Sequence, residues 1–250
     1  MIEMLTEEQR KRYSRQIISP SIGEEGQKKI SNLRILQVGA GGLGSPCSLY
    51  LVAAGIKELT ILDNDVLDVS NLQRQILYNE SQLGGVKVEL AKDVLSNFNS
   101  EVQVNAFKDY IDENSIKKYL KGQDFIIDCS DNLKTKFMVN KVAVDNNMKC
   151  VIAGIKDFYG QIMTINPKTS ACYQCVFPEP EKKNANAPPG SPLPVIGVTP
   201  GILGTLEALE VIKTALDLPN LENKLLMVNL LDLSFNIIKV AKDEHCICSN

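Results

Sequence analysis

The apolar run Leu33–Val38 (LRILQV) breaks abruptly into Gly39-Ala40-Gly41-Gly42-Leu43-Gly44, and no other stretch constrains the fold as tightly. A buried-strand pattern, then glycines at this spacing, then Ser45–Ala54 with Pro46 in its first turn, predicts a strand–turn–helix unit. The glycines permit a sharp reversal and let backbone approach a ligand. The helix start offers unpaired N–H groups and a positive dipole end to a phosphate. The same turn can also serve strand–helix packing alone. Asp63 ends the next apolar run, Leu59–Leu62, about 20 residues on, where a carboxylate can accept from both ribose hydroxyls.

Helices expected at about Lys87–Phe98, Glu113–Leu120 and Lys134–Asn147 alternate with strands at about Val102–Phe107, Phe125–Asp128 and Cys150–Ile155. Such alternation implies an α/β fold, a Rossmann-like, mostly parallel sheet flanked by helices. The N-terminal segment, roughly 5–30, reads as short helices and turns. After Gly154 the character changes. A strand at Gln161–Ile165, a turn around Cys172–Cys175, a Pro/Asn/Lys-rich loop over about 178–198, the apolar helix GILGTLEALEVIKTAL and a strand at Leu225–Asn229 follow. We expect one domain over 1–250, with a nucleotide-binding portion to about residue 150 and a distinct second portion in which the sheet becomes mixed.

Composition removes several classes. A net charge of -3 over 250 residues argues against nonspecific nucleic-acid binding, which depends on phosphate neutralisation. No apolar stretch is long enough to span a bilayer, and the charged start (MIEMLTEEQRKRYSRQ) has no signal-peptide character. Seven cysteines, an odd number, suit reduced thiols in the cytoplasm better than a disulfide framework. The single histidine, His245, lies almost at the C-terminus, which argues against chemistry built on a central histidine base, such as a Ser-His-Asp triad.

The glycine turn alone does not select a nucleotide, and a nicotinamide-dependent oxidoreductase or an ATP-sensing scaffold would use it too. Asn71-Leu72-Gln73-Arg74-Gln75 and then Lys87 shift the balance. Hydride transfer needs no cations at the phosphates. Cleavage between α- and β-phosphates does, because charge builds on the leaving pyrophosphate. Arg74 can clamp two phosphate oxygens with its planar fork, and Lys87 can act as a point charge. On residues alone, either can equally be a solvated surface charge.

Together RYSRQI (Arg12–Ile17), VGAGGLGS (Val38–Ser45), DNDVLDVSNLQRQ (Asp63–Gln75), GGVKVE (Gly84–Glu89), DCSDN (Asp128–Asn132) and CYQC (Cys172–Cys175) span nearly the whole chain. In this combination and order they resemble the ThiF/MoeB/HesA family, which shares its adenylation fold with ubiquitin-activating enzymes. The resemblance implies ATP over Gly39, Gly41, Gly42 and Gly44, with Gly41 nearest the phosphates. Asp63 would hold the ribose, and Asn71, Arg74 and Lys87 the triphosphate, with Asp65, Gln75 and Asn132 beside them. Asp131 would carry Mg²⁺. Arg15 would cross a homodimer interface into the partner's site. The implied reaction is attack of a carboxylate on the α-phosphorus of ATP. The carboxylate would belong to a ubiquitin-like sulfur carrier or, alternatively, to a small molecule such as the pyridinol precursor of the iron-guanylylpyridinol cofactor. A carboxylate is already ionised near neutrality and needs no base.

Cys172 and Cys175 have zinc-ligand spacing. The family usually completes that Zn²⁺ site with a second C-x-x-C, forming a zinc-ribbon-like tether in the substrate-binding portion. Here the tail reads His245-Cys246-Ile247-Cys248, so Cys246 with Cys248, or His245 with Cys248, completes the set. Some relatives carry a reactive cysteine in the long loop; Phe177–Thr199 has none, and Cys47, Cys129 and Cys150 fall where buried apolar roles are expected. Adenylation alone is the expectation.

Overall fold

The structure, a computed structural model, describes residues 4–177 and 194–249. Three short helices, α1 (Glu7–Arg12), α2 (Ser14–Ile17) and α3 (Gly23–Ile30), precede the sheet. Then come β1 (Arg34–Val38), α4 (Gly44–Ala54), β2 (Glu58–Asp63), α5 (Lys87–Phe98), β3 (Gln103–Lys108), β4 (Phe125–Asp128), α6 (Leu133–Asp145) and β5 (Lys149–Lys156). The chain continues through β6 (Tyr159–Ile165), α7 (Tyr173–Val176), α8 (Val198–Ala215), β7 (Lys224–Asn229) and β8 (Ser234–Lys239).

The strands form one sheet in the order β3-β2-β1-β4-β5-β6-β7-β8. Pairing is parallel from β3 to β5 and antiparallel from β5 to β8. The central strands are buried on both faces, as a parallel sheet between helix layers requires. On one face Ile35, Leu51, Val88, Leu95, Leu203 and Val211 share a core; on the other, Leu36, Ile126, Val139, Val142, Met163 and Tyr173 do. Chain order reverses between β1 and β4, so the connections leaving their carboxyl ends run to opposite faces of the sheet and leave a crevice, the usual ligand position in such sheets.

Helix α8 packs along α4. The contact is so close that a Cβ added at Gly204 would lie 2.1 Å from the Leu43 carbonyl oxygen. The apolar residues of this helix are therefore core, as its sequence suggests. It starts at Val198, earlier than the glycine-led run implies. The expected helix over Glu113–Leu120 is only a 3₁₀ segment, Ser115–Tyr119. Asp112 accepts from the Asn114 and Ser115 N–H groups, a local turn that competes with α-helix propagation. β8 is an addition to the expected strands. Most of the 178–198 loop lies outside the described residues. Among the described residues no helix is long and apolar enough to cross a membrane.

Candidate active site

The turn after β1 is fixed by close packing. Gly39 has φ +100°, and a Cβ there would lie 2.7 Å from the Cys129 carbonyl oxygen, because β1 and β4 end side by side. Gly44 is equally confined, with the Gly39 oxygen 2.3 Å from its virtual Cβ. Gly41 differs: the nearest atom is Gln75 Nε2 at 3.7 Å, leaving its outer side open. Between them the Ala40 peptide is pinned twice. Its N–H donates to Asp63 Oδ2 at 2.7 Å, and its carbonyl accepts from the Tyr78 hydroxyl at 2.8 Å. Asp63 Oδ1 accepts from the Asp65 N–H at 2.8 Å, so the carboxylate at the end of β2 is held in place.

A cavity of about 1150 Å³ opens above this turn. Of the residues singled out from sequence it brings together Gly39, Gly41, Gly42, Asp63, Asp65, Arg74, Gln75, Lys87, Asp131 and Asn132. Lys87 has a buried stem, 4% exposed, and its ammonium pairs with Asp65 Oδ2 at 2.9 Å. Arg74 spends one guanidinium nitrogen on the Ser70 carbonyl at 3.0 Å. Among the described residues no carboxylate pairs with it. Asp131 is exposed in the mouth and, among the described residues, makes no side-chain hydrogen bond. Gln75 is 3% exposed, and its Oε1 has no partner among the described residues. Two cations, an uncommitted carboxylate, an open glycine backbone and an orphaned amide oxygen suit a bound polyphosphate nucleotide with a divalent cation.

Three expected residues do not line this cavity. Gly44 serves the turn's packing. Asn71 Oδ1 accepts from the Asp68 N–H at 3.2 Å and closes the 3₁₀ turn Val69–Asn71. Arg15 is exposed on α2, outside its own chain's cavity. Its neighbours are anchored. Tyr13 accepts from Asn99 Nδ2 at 3.0 Å, and Gln16 donates to Gln27 Oε1 at 2.6 Å. Asn132, which does line the cavity, is also the N-cap of α6, accepting from the Thr135 N–H at 2.9 Å.

Sequence reading missed the wall formed by Asp109, Tyr110 and Asp112. Its only signal is position: this loop follows a parallel strand at the carboxyl edge that carries the glycine turn. It also missed Lys136, whose ammonium is buried against Asp128 Oδ2 at 2.7 Å. Burial alone would lower this lysine's pKa, but the Asp128 carboxylate, with Glu207 and Tyr173 adding to it, holds it above the ordinary value.

The four tail and turn cysteines form a second centre. The Sγ atoms of Cys172, Cys175, Cys246 and Cys248 all lie within 4.8 Å of one another, and this group can hold a metal ion. Cys172 and Cys246 sulfurs are 3.4 Å apart, those of Cys175 and Cys248 3.5 Å. Asn140 Nδ2 lies 3.5 Å from the Cys172 sulfur and the Asp243 N–H donates to that of Cys175 at 3.4 Å, the outer contacts such ligands require. His245, the alternative fourth ligand, is exposed and outside the group. A 3₁₀ turn over Ile247–Ser249, with the Ser249 N–H donating to the Cys246 carbonyl at 2.9 Å, lets Cys246 and Cys248 join the same group despite their one-residue gap.

The sheet order, the glycine turn at its switch point and the antiparallel extension define a nucleotide-binding α/β protein of the Rossmann-like class. The particular family follows from comparison: the profile described as ThiF family matches residues 13–250, and the chain belongs to that family. It is 34% identical over 252 residues to a Thermus thermophilus sulfur carrier protein adenylyltransferase, covering 98% of this chain and 93% of that protein. It is 35% identical over 236 residues to the Haloferax volcanii SAMP-activating enzyme E1, covering 94% and 87%. Against the Xenopus laevis adenylyltransferase and sulfurtransferase MOCS3, at 37% identity over 244 residues, 96% of this chain is covered but only 53% of the relative. This chain thus spans about half the length of that relative. The crystal structure of E. coli MccB with succinimide shares the fold with a TM-score of 0.85 at 24% identity, over 94% of this chain and 73% of that one.

Proposed function

We propose that this protein is an ATP-dependent adenylyltransferase that activates the C-terminal carboxylate of a ubiquitin-like sulfur carrier as an acyl-adenylate, releasing pyrophosphate. The observation that carries the reading is convergence: Arg74, Lys87 and Asp131 face one cavity above Gly41. Asp63 holds the ribose. Arg74 and Lys87 offset the charge that develops on the leaving pyrophosphate. Asp131 holds Mg²⁺, which when bound supplies further neutralisation of the phosphates. The attacking carboxylate is ionised already, so positioning and charge compensation are sufficient and no base is required.

Arg15, held outward between the anchored Tyr13 and Gln16, acts on the partner's site in a homodimer. The cysteine tetrad binds zinc and ties the tail down, and residues from about 151 form the substrate and zinc portion. The chemistry ends at the adenylate. Cys47, Cys129 and Cys150 are buried, and burial pushes all three thiols above the ordinary range, away from the reactive thiolate. The odd number of cysteines, seven, suits reduced thiols better than a disulfide framework and supports a cytoplasmic protein.

The test is pyrophosphate exchange into ATP. Stimulation by a small carrier protein ending in Gly-Gly, and not by small acids, is the expected result. Exchange driven by a small carboxylic acid alone would move the substrate to the second class. No exchange with either, from protein that binds ATP, would make the chain a silent nucleotide-binding scaffold.

A further inference from the structure

The loop that carries Asp131 is gripped from beneath by a buried lysine. Lys136, on the first turns of α6, is 4% exposed. Its ammonium has three hydrogens and meets three oxygens: Asp128 Oδ2 at 2.7 Å, the Ser130 carbonyl at 2.8 Å and the Ala153 carbonyl at 2.5 Å. These belong to the end of β4, to the loop beyond it and to β5. Ser130 Oγ donates to the other Asp128 oxygen at 2.7 Å. On the far side of Asp131, the Asn132 side chain caps α6 through the Thr135 N–H at 2.9 Å. Both neighbours of Asp131 are therefore fixed, while its own carboxylate is left uncommitted in the cavity.

We propose that Lys136 is a positioning residue that sets where the Asp131 carboxylate points, and so tunes the site's hold on a divalent cation. The proposal rests on the adenylation reading above. Stability alone does not account for this arrangement. A buried ion pair is no more stabilising than apolar residues of like volume, because both charges must be stripped of water. What the pair adds is geometry. One point charge draws three separate backbone segments together, and a neutral side chain of similar length would let the Ser130 carbonyl rotate away and carry the next residue with it. Groups that orient a metal ligand from behind typically change metal affinity by about 10–100-fold when removed.

The experiment uses the full-length protein with Mn²⁺ and a non-hydrolysable ATP analogue, followed by electron paramagnetic resonance, alongside pyrophosphate exchange at varied Mg²⁺. Lys136→Met is expected to weaken Mn²⁺ binding in the ternary complex by about 10-fold or more. The Mg²⁺ requirement for exchange should rise in step, with the carrier-protein KM unchanged. Lys136→Arg, which keeps the charge and the donors, should recover most of the loss. Glu210→Gln, a buried change on α8 away from the loop, serves as the stability control and should leave Mn²⁺ binding alone. Should Lys136→Met fail to fold, Ser130→Ala removes only the Ser130–Asp128 bond and should weaken Mn²⁺ binding measurably, in the same direction. Unaltered Mn²⁺ binding in whichever of these two variants folds, or a loss equalled by Glu210→Gln, overturns the proposal. Failure of the wild-type protein to form the Mn²⁺–nucleotide complex at all would instead strike the adenylation reading beneath it.

Discussion

Tyr78 donates its hydroxyl hydrogen to the Ala40 carbonyl at 2.8 Å, from beneath the turn whose upper side faces the nucleotide cavity. Burial, and then the nearby Asp63 charge, push its pKa up, so the phenol remains a donor throughout the working range. Tyr78→Phe leaves a buried carbonyl unpaired, which costs about 1–3 kcal/mol. We expect a lower midpoint in urea and a raised KM for ATP, with the carrier-protein KM unaffected. An unchanged ATP KM in exchange assays would mean that Asp63 alone holds the Ala40 peptide.

Asp131 and Arg15 test the proposed chemistry and its assembly together. Both side chains are exposed, so Asp131→Ala and Arg15→Ala should alter stability by no more than about 0.5 kcal/mol. Each should cost at least about 100-fold in exchange, as loss of a charge-stabilising group does elsewhere. If Arg15 acts on a neighbouring copy, mixing the two inactive variants should restore activity in mixed dimers, because one of the two sites then has both residues. Mixtures as inactive as their components would place Arg15 at an ordinary surface.

Glu207 supplies a pH prediction. Burial, with Asp128 adding to it against the pull of Lys136, raises its carboxyl pKa well above the ordinary value. A raised acid binds its proton more tightly folded than unfolded. Its contribution is therefore intact below the unfolded value near 4.3 and declines as pH rises towards the folded value. Glu207→Gln removes that decline. Its unfolding free energy, measured by urea titration at pH 5 and pH 8, should gain on the wild type as pH increases. A difference independent of pH would show that Glu207 is ionised in the folded protein.

Metal analysis addresses the cysteine group. We expect about one zinc per chain, lost on Cys246→Ser and on treatment with a strong chelator, with a lower melting temperature in both cases. His245→Ala should retain the full content. Retention by Cys246→Ser with loss by His245→Ala would reinstate the histidine as ligand.

The parts legible in the sequence were those whose cause is local. The strand–glycine–helix unit, Asp63 at the end of β2 and the alternation through β5 all follow from periodicity and turn chemistry within short windows. The parts missed depend on distant partners. Glu207 and Glu210 sit in a helix that reads as apolar, and only the fold reveals both as buried. Glu210 accepts from Thr164 Oγ1 on β6 and from the Leu221 N–H in the loop before β7, each at 2.7 Å. Lys136 reads as one of several charges at the start of α6 until β5 is laid beside it. β8 was missed because it lies at the edge with Phe235, Ile237 and Ile238 all exposed, so no in–out alternation marks it. The choice between His245 and Cys246 was undecidable from spacing, since a tight turn at Ile247 changes which side chains converge.

The sulfur group joins positions 74 and 73 residues apart in the chain. An ion held there cinches one long ring containing α8 and the terminal hairpin of β7 and β8. Closing a ring of this size covalently removes about 4–5 kcal/mol of disorder from the unfolded chain in the loop-entropy account. By the same reasoning, ion scarcity would first be felt as faster unravelling of the carboxyl-terminal third, with the parallel half of the sheet outlasting it.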